Sequence, residues 1–211
     1  MIRAGQKKEI TWNSGSWIFL DVGFSNQRRT CGLLFDNQEP EKMRFNEAIE
    51  KIITHIRQIK RPVNLVIEAP LSVAFDSKGN PKGREIEKRN GKTRYWYAAP
   101  GCVVMVAALY VINGLCNVIQ SQEIRLFEGF VSFRAKTNKT NHLKDVCCLK
   151  RAVKNPSTCR SQVVCGEQLK MNPSDRLLSA FMVAGHDYGV PPVIKCRCLT
   201  NRSSERAVTR R

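Results

Sequence analysis

Residues 17–23 read WIFLDVG, so that four apolar residues run directly into Asp21, which a valine and a glycine follow. An uninterrupted apolar run of this kind predicts a strand that is buried on both faces of a sheet. Because a carboxylate is costly to bury without a partner, we expect Asp21 to lie at the open end of a central strand or to bind a positive group. The alternative is an aspartate that caps a turn just after a strand, since Asp and Gly are common in turns.

Residues 62–70, PVNLVIEAP, repeat this pattern with an apolar run, one acid at Glu68 and a turn. Two central strands that each end in a carboxylate place two negative charges side by side, and like charges at close range repel unless a cation lies between them. Oxygen ligands of this kind suit hard divalent ions such as magnesium. Asp21 and Glu68 together therefore predict a cation site more strongly than either residue does by itself.

Length and composition indicate one globular domain. The chain has 211 residues, of which 42% are hydrophobic and 25% are charged, and this is enough to bury a substantial core in a soluble protein. We expect a single α/β domain over residues 1–211. Within this domain we expect a loose N-terminal arm at residues 1–16, a long basic loop at 70–97 and a basic, mobile tail at 195–211.

The positive charge is concentrated in three segments. The formal net charge is +17, and residues 78–97, 134–170 and 195–211 contribute +5, +7 and +5, so that the rest of the chain is neutral. A neutral scaffold with three basic segments favours a polyanionic partner, which here means nucleic acid. The alternative is that the charge serves only solubility.

The cysteines indicate reduced thiols. The chain has nine of them, an odd number, and neither their spacing nor the three scattered histidines forms a standard zinc motif. Residues 1–16 are polar and have no apolar core for a signal peptide. We therefore expect a cytoplasmic protein.

One segment raises the question of a membrane span. Residues 98–119 carry no charged side chain over 22 positions, which is long enough to cross a bilayer. Proline, glycine and asparagine interrupt this segment, and basic residues do not flank one of its ends cleanly. A helix buried in an α/β core is also apolar on all sides, so we expect a buried helix and no membrane contact.

The remaining pattern predicts an alternation of strands and helices. Strands are predicted at residues 17–22 and 30–35, near Met43, at 63–69, at 123–130 and, as a short edge strand, at 191–194. Helices are predicted at residues 45–60, 100–119 and 142–153, and from residues 172–175 to Gly185, because NPSD is a typical helix start.

The long loop at 70–97 brings basic residues together with an aromatic run. Positive charges neutralise phosphates and aromatic rings stack on bases, so this composition suits a nucleic-acid strand. Packing of the aromatic rings beneath the loop is the alternative. The predicted nucleic-acid-binding residues are Lys82, Arg84, Lys88, Arg89, Lys92, Arg94, Tyr95 and Trp96, together with Lys136, Lys139 and Lys144 of the second basic segment.

Four acids fall at strand ends or at the predicted helix start: Asp21, Glu68, Glu128 and Asp175. The order of elements, an antiparallel hairpin run followed by alternating helices and strands, resembles the ribonuclease H-like fold, in which helices flank a mixed central sheet. Over residues 17–194 the chain is more closely similar to a family of predicted RNase H-like nucleases of mostly unassigned function. The matching motifs are FLDVG at 19–23, IEAPL at 67–71, FEG at 127–129 with SF at 132–133, and SDRLLSA at 174–180. The chain departs from that family at Glu68, where Asp is common, and after Glu128, where proline is often found.

The resemblance implies hydrolysis of phosphodiester bonds in DNA or RNA with two Mg²⁺ or Mn²⁺ ions about 4 Å apart. Asp21 would bridge both ions, Glu68 and Glu128 would hold one of them, and Asp175 would hold the other. Asp145 and Asp187 are further candidates for the last position. A competing hypothesis is a module that binds nucleic acid or a protein partner without cutting, since a fold does not dictate function. A third is strand transfer or junction resolution at the same site.

Overall fold

The computed structural model describes residues 1–23, 29–89, 92–93, 100–118, 121–131, 141–157 and 162–196. A mixed β-sheet and three α-helices make up most of this part of the chain. The helices are α1 (Phe45–Gln58), α2 (Pro100–Val118) and α3 (His142–Lys154). The strands are β1 (Ile2–Ala4), β2 (Ser16–Asp21), β3 (Cys31–Phe35), β4 (Glu41–Met43), β5 (Val63–Glu68), β6 (Ser72–Phe75), β7 (Pro81–Lys82), β8 (Lys88–Arg89), β9 (Lys92–Thr93), β10 (Ile124–Val131), β11 (Gln162–Val164), β12 (Arg176–Ser179) and β13 (Val193–Cys196).

The main sheet has the strand order β11-β13-β10-β5-β2-β3-β4. β2, β3 and β4 form an antiparallel run, whereas β5 lies parallel to β2, and β10 lies parallel to β5. α1 connects β4 to β5, and α2 lies in the connection from β5 to β10. The carboxyl ends of β2, β5 and β10 therefore meet at one edge of the sheet, as crossover connections require.

Helices cover both faces of this sheet because the apolar strands alternate their side chains between them. Ile18 and Leu20 of β2 pack on the face that α1 and α2 cover. Trp17 and Phe19 pack on the other face, beneath α3. All six residues of β2 are buried, which confirms the central strand that its uninterrupted apolar run predicts.

The N-terminal segment is not a loose arm. β1 pairs in parallel with the first half of β10, with Ile2 opposite Ile124 and Ala4 opposite Leu126. Arg3 reinforces this pairing through ion pairs with Glu9 and Glu123. The prediction was wrong because a short polar segment can still be held by backbone hydrogen bonds to an open strand edge, which composition does not reveal.

α2 occupies the uncharged segment that predicted a buried helix, but only one of its faces is buried. Ala108, Val111 and Leu115 pack against the sheet. Val103 and Tyr110 on the opposite face are 52% and 64% exposed. Within the described residues, no helix has the length and apolar character needed to cross a bilayer.

The prediction of a helix that starts at residues 172–175 is wrong. Residues 176–179 form β12, which pairs antiparallel with β6, and a 3-10 helix at Ala180–Ala184 follows. The Asp175 carboxylate accepts hydrogen bonds from the preceding amides of Met171 and Asn172, so it does not cap a following helix. Gly185 ends the 3-10 helix with a left-handed φ of 79°, as its position predicted.

Two smaller expectations also need correction. The segment at 191–194 was predicted as an edge strand, but β13 lies between β10 and β11 and pairs with both. Residues 70–97 are not one long loop, since their described part contains β6, β7, a 3-10 helix at Glu85–Glu87 and the β8–β9 pair. Within the described ranges, no disulfide joins the cysteines.

Candidate active site

Asp21 and Glu68 are direct partners on neighbouring parallel strands, as their sequence pattern predicts. β2 and β5 pair in register from Ser16 opposite Val63 to Asp21 opposite Glu68. Parallel partners in register point to the same face of a sheet, and adjacent strands lie about 4.8 Å apart. The two acids therefore lie side by side at the carboxyl edge, on the face that α3 covers.

The start of α3 lies against this pair. Asn141 caps the helix through a hydrogen bond that its side chain accepts from the amide of Leu143. The next residue, His142, places its Nδ1 atom 2.9 Å from Oδ1 of Asp21. The positive end of the helix dipole thus faces a carboxylate, which is a favourable arrangement.

Gly32 makes this close approach feasible. It is the partner of Asp21 on β3, and a Cβ atom at this position would lie 2.5 Å from the backbone oxygen of His142. Any side chain here would therefore force the start of α3 away from the sheet. The glycine sets the distance between helix and carboxylate.

Asp145 is a buried acid in the first turn of the same helix. It lies three residues after His142, on the same side of α3, and only 6% of its surface is exposed. The sequence pattern gave Asp145 only as a further candidate, and it did not single out His142. The signal was an Asn cap that is followed by His and Asp in the first helical turn.

Glu128 does not join the Asp21–Glu68 pair. Its partner on β5 is Ile67, the residue before Glu68, so its side chain lies on the opposite face of the sheet. There Oε2 accepts hydrogen bonds from the amide of Leu71 at 2.8 Å and from Arg84 at 2.7 Å. Complete burial raises the pKa of the Glu128 carboxyl, while the Arg84 guanidinium opposes this effect. The predicted role of Glu128 as a metal ligand beside Glu68 is therefore wrong.

Arg84 is equally misassigned, since a nucleic-acid contact requires exposure and this side chain is completely buried. Its guanidinium donates to Glu87 at 2.8 Å, to Ser72 at 2.8 Å and to Glu128. Burial tends to lower the pKa of Arg84, but the two carboxylates raise it above its ordinary value. Arg84 ties the segment after β7 to β10 and does not face a ligand.

Asp175 is also separate from the Asp21–Glu68 pair. In the β6–β12 ribbon, Ser72 pairs with Ser179 and Phe75 with Arg176, so that Asp175 lies at the end remote from Glu68. Its carboxylate binds Lys82 at 2.8 Å, and this hydrogen bond lowers the pKa of Asp175. Lys82 is therefore a partner of Asp175 and is 18% exposed in its side chain.

The other predicted residues divide into four groups. Lys88 and Lys144 are exposed, as a nucleic-acid contact requires. Asp187 is exposed and accepts a hydrogen bond from the amide of Gly189 in its own turn. The backbones of Arg89 and Lys92 form part of the β8–β9 pair. The residues that lie outside the described ranges are Arg94, Tyr95, Trp96, Lys136 and Lys139.

Of the four predicted metal ligands, the structure brings together Asp21 and Glu68. The two strand-end carboxylates and Asp145 offer oxygen ligands of the type that Mg²⁺ and Mn²⁺ prefer, and His142 offers a nitrogen. Over the described ranges, no three His, Cys, Asp or Glu side chains lie close enough together to hold one metal ion. The predicted set of Asp21, Glu68, Glu128 and Asp175 is not assembled.

Comparison with known proteins adds no relative, since no family model, curated protein or solved structure matches the chain.

Proposed function

We propose that this protein is a divalent-metal-dependent nuclease with an RNase H-like fold, which hydrolyses phosphodiester bonds of DNA or RNA. The observation that carries the proposal is the register pairing of Asp21 with Glu68 beneath the start of α3. The element order supports the fold, because an antiparallel run of three strands precedes alternating helices and parallel strands. The net charge of +17 supports a polyanionic substrate.

The ligand set of this proposal differs from the one that the sequence predicted. Asp21, Glu68 and Asp145 would hold Mg²⁺ or Mn²⁺, and Glu128 and Asp175 are left out because Arg84 and Lys82 bind them. A bound divalent ion supplies an activated water and stabilises the charge on the leaving oxygen. The carboxylates would fix the position of that chemistry at the carboxyl edge of the sheet.

His142 is the residue of α3 that lies against this pair, with its Nδ1 atom 2.9 Å from Oδ1 of Asp21. A divalent cation between Asp21 and Glu68 would offset the repulsion of the two carboxylates.

A second candidate function is a module that binds nucleic acid or a protein partner without cutting it. The observation that favours it is the absence, within the described residues, of three metal-binding side chains already gathered around one point. This module would use the same basic segments and leave the acids without a catalytic role. The two functions differ in whether the backbone is cleaved.

The test is a cleavage assay with purified wild type, Asp21→Asn, Asp145→Asn and Asp175→Asn. Each protein is given single- and double-stranded DNA and RNA with Mg²⁺, Mn²⁺ or a chelator. We expect metal-dependent cleavage by the wild type, and a loss of roughly a thousandfold or more in Asp21→Asn and Asp145→Asn. Asp175→Asn is the matched control, because it also removes one buried carboxylate charge but lies outside the proposed site.

Two results would contradict the proposal in different ways. If the wild type binds nucleic acid but never cuts it, and Asp21→Asn behaves identically, the non-catalytic module is correct. If Asp175→Asn loses cleavage as fully as Asp21→Asn while remaining folded, the assignment of the ligands is wrong. Thermal unfolding of each variant separates loss of activity from loss of structure.

A further inference from the structure

A second feature of the molecule is an open cleft of about 430 Å³ at the β11–β13 end of the sheet. Its walls are the 3-10 helix at Glu85–Glu87, the 3-10 helix at Gly166–Leu169 and strands β11 and β13. The polar side chains that line it are those of Glu85, Lys88, Gln162, Gln168 and Lys195. Lys195 lies on the face of the sheet opposite to Asp21 and Glu68, so the cleft is distinct from the proposed active site.

The cleft lies over a group of packed apolar side chains. Phe130, Val164, Val193, Ile86 and Leu169 form a separate buried cluster beneath it. The Nζ atom of Lys195 lies 5.9 Å from the centre of the Phe130 ring and 3.5 Å from the backbone oxygen of Ile86. The stem of this lysine is thereby packed while its ammonium group stays at the cleft.

The buried ion pairs of Arg84 hold one wall of the cleft in place. Arg84 precedes the 3-10 helix and binds Glu87, the last residue of that helix. Arg84 also binds Glu128 of β10, and both side chains are completely buried. This helix carries Glu85 and precedes Lys88. The position of Lys88 is therefore fixed relative to the sheet, although its own side chain is exposed.

The groups that face the cleft suit a singly charged anion. Lys88 and Lys195 supply two ammonium groups, and Gln162 lies directly opposite Lys195 on the neighbouring strand with its side chain on the same face. Glu85 is the acid in the lining and lies 3.4 Å from Lys88. Two cations and two amides against one carboxylate leave a net positive site with neutral donors, which a backbone phosphate diester matches.

Residues from all three basic segments of the sequence line the cleft. Residues 78–97 contribute Lys88, residues 134–170 contribute Gln162 and Gln168, and residues 195–211 contribute Lys195. The net positive lining of the cleft and the net charge of +17 on the chain together favour a polyanion over an isolated small anion.

The position of the cleft relates it to the proposed active site. β10 lies between β5 and β13, the strand that carries Lys195, so the two strands are about 10 Å apart along the sheet at the usual strand spacing. Lys195 pairs with Phe130, two residues past Glu128, so its side chain lies near the same carboxyl edge as Glu68 but on the opposite face. A strand that crosses this edge can reach both places.

We propose that this cleft binds a backbone phosphate of the nucleic-acid strand at least one nucleotide away from the bond that is cut. The proposal rests on the proposed function for the presence of a cut bond, and on the cleft itself for the phosphate. Lys88 and Lys195 supply the charge, and Gln162 and Gln168 supply neutral hydrogen bonds. The cleft thus positions the substrate and takes no part in the chemistry.

The test measures binding of a short fluorescent single strand by anisotropy, in chelator and at several salt concentrations. The variant is Lys88→Gln with Lys195→Gln. Its matched control is Lys42→Gln with Lys60→Gln, which removes two exposed charges on β4 and before β5, away from the cleft. We expect the cleft variant to bind about tenfold more weakly than the control and to lower the salt slope by about 0.7, the value for one phosphate of a single strand.

A second variant separates a loss of binding from a loss of folding. Gln162→Glu keeps the shape of an exposed side chain and adds a negative charge inside the cleft, whereas Gln38→Glu adds the same charge at an exposed turn between β3 and β4. We expect only Gln162→Glu to weaken binding, with unchanged thermal unfolding for both. A strand with a neutral methylphosphonate backbone should bind wild type and cleft variants equally weakly.

Three outcomes would overturn the proposal: equal losses in cleft and control variants, no loss in Gln162→Glu, or a mononucleotide that binds wild type as tightly as the strand does. The last outcome would identify a site for free phosphate compounds. The assay contains chelator, so binding to the cleft can be measured whether or not the protein is a nuclease. Conversely, a wild type that cuts while the cleft variants bind normally contradicts only the cleft.

Discussion

At the scale of single residues, Gly32 decides whether α3 can meet the Asp21 carboxylate. We expect Gly32→Ala to lower the free energy of unfolding by about 1–3 kcal/mol, because its Cβ atom would lie 2.5 Å from a backbone oxygen that cannot move without the helix. Urea denaturation measures the change. Gly114→Ala is the control, since no atom lies within 4 Å of its Cβ atom and alanine favours a helix. Equal stability of Gly32→Ala and wild type would contradict the close approach.

Arg84 is the second decisive residue, because two buried carboxylates depend on it. We expect Arg84→Met to cost about 3–5 kcal/mol, since it leaves both Glu87 and Glu128 in the interior without this cation. Glu128→Gln should cost less, because Arg84 keeps Glu87 and the amide oxygen can still accept from Leu71. Chemical denaturation of both variants checks the order. A smaller cost for Arg84→Met than for Glu128→Gln would refute this account.

At the scale of elements, β1 depends on charged side chains that are far apart in sequence. Arg3 lies between Glu9 and Glu123, and Arg125 also binds both acids. For Glu9, burial opposes ionisation but the hydrogen bond from Arg3 and other contacts lower its pKa overall. Hydrogen bonds from Arg125 and Arg3 likewise lower the pKa of Glu123. The attachment of β1 is therefore sensitive to acid.

Whether stability rises or falls with pH follows from the direction of these pKa shifts. Carboxyls with lowered folded-state pKa values contribute stability above their ordinary pKa of 4.5 and lose it as the pH falls through the lowered values. We expect Glu9→Gln to unfold at a lower temperature than wild type at pH 7, with a cost of about 1 kcal/mol or less, and the difference to shrink in acid. Glu39→Gln, an exposed loop position, is the control. A difference that grows in acid would contradict this interpretation.

At the scale of the whole molecule, charge and carboxylates occupy different parts of the chain. The net charge of +17 resides in three segments, whereas Asp21 and Glu68 end two strands of a neutral scaffold. We expect nucleic-acid affinity to fall by roughly tenfold or more between about 50 and 200 mM salt, because phosphate contacts release counterions. Asp21→Asn should bind at least as tightly as wild type in chelator, since it removes a negative charge. Affinity that does not change with salt would exclude the polyanion hypothesis.

The sequence by itself determined the central strands and the main helices of this protein. The apolar runs at β2 and β5 and the helical spacing of α1 are local patterns, and the preference for crossover connections makes the two strands parallel neighbours. The adjacency of Asp21 and Glu68 follows from these facts, so the pairing at the centre of the candidate site could be predicted. The strand β10 and the helix α3 were located in the same way.

Only the tertiary structure decided which other acids join them. Side chains alternate between the two faces of a strand, so a shift of one residue in register moves an acid to the other face of the sheet. Glu128 pairs with Ile67, the residue before Glu68, and therefore lies on the face opposite to Glu68. Burial of Arg84 and the pairing of Asp175 with Lys82 depend on contacts between segments 44 and 93 residues apart. His142 reaches Asp21 because Gly32 lets α3 approach the sheet. No local pattern encodes these distances, since they are set by how the layers pack.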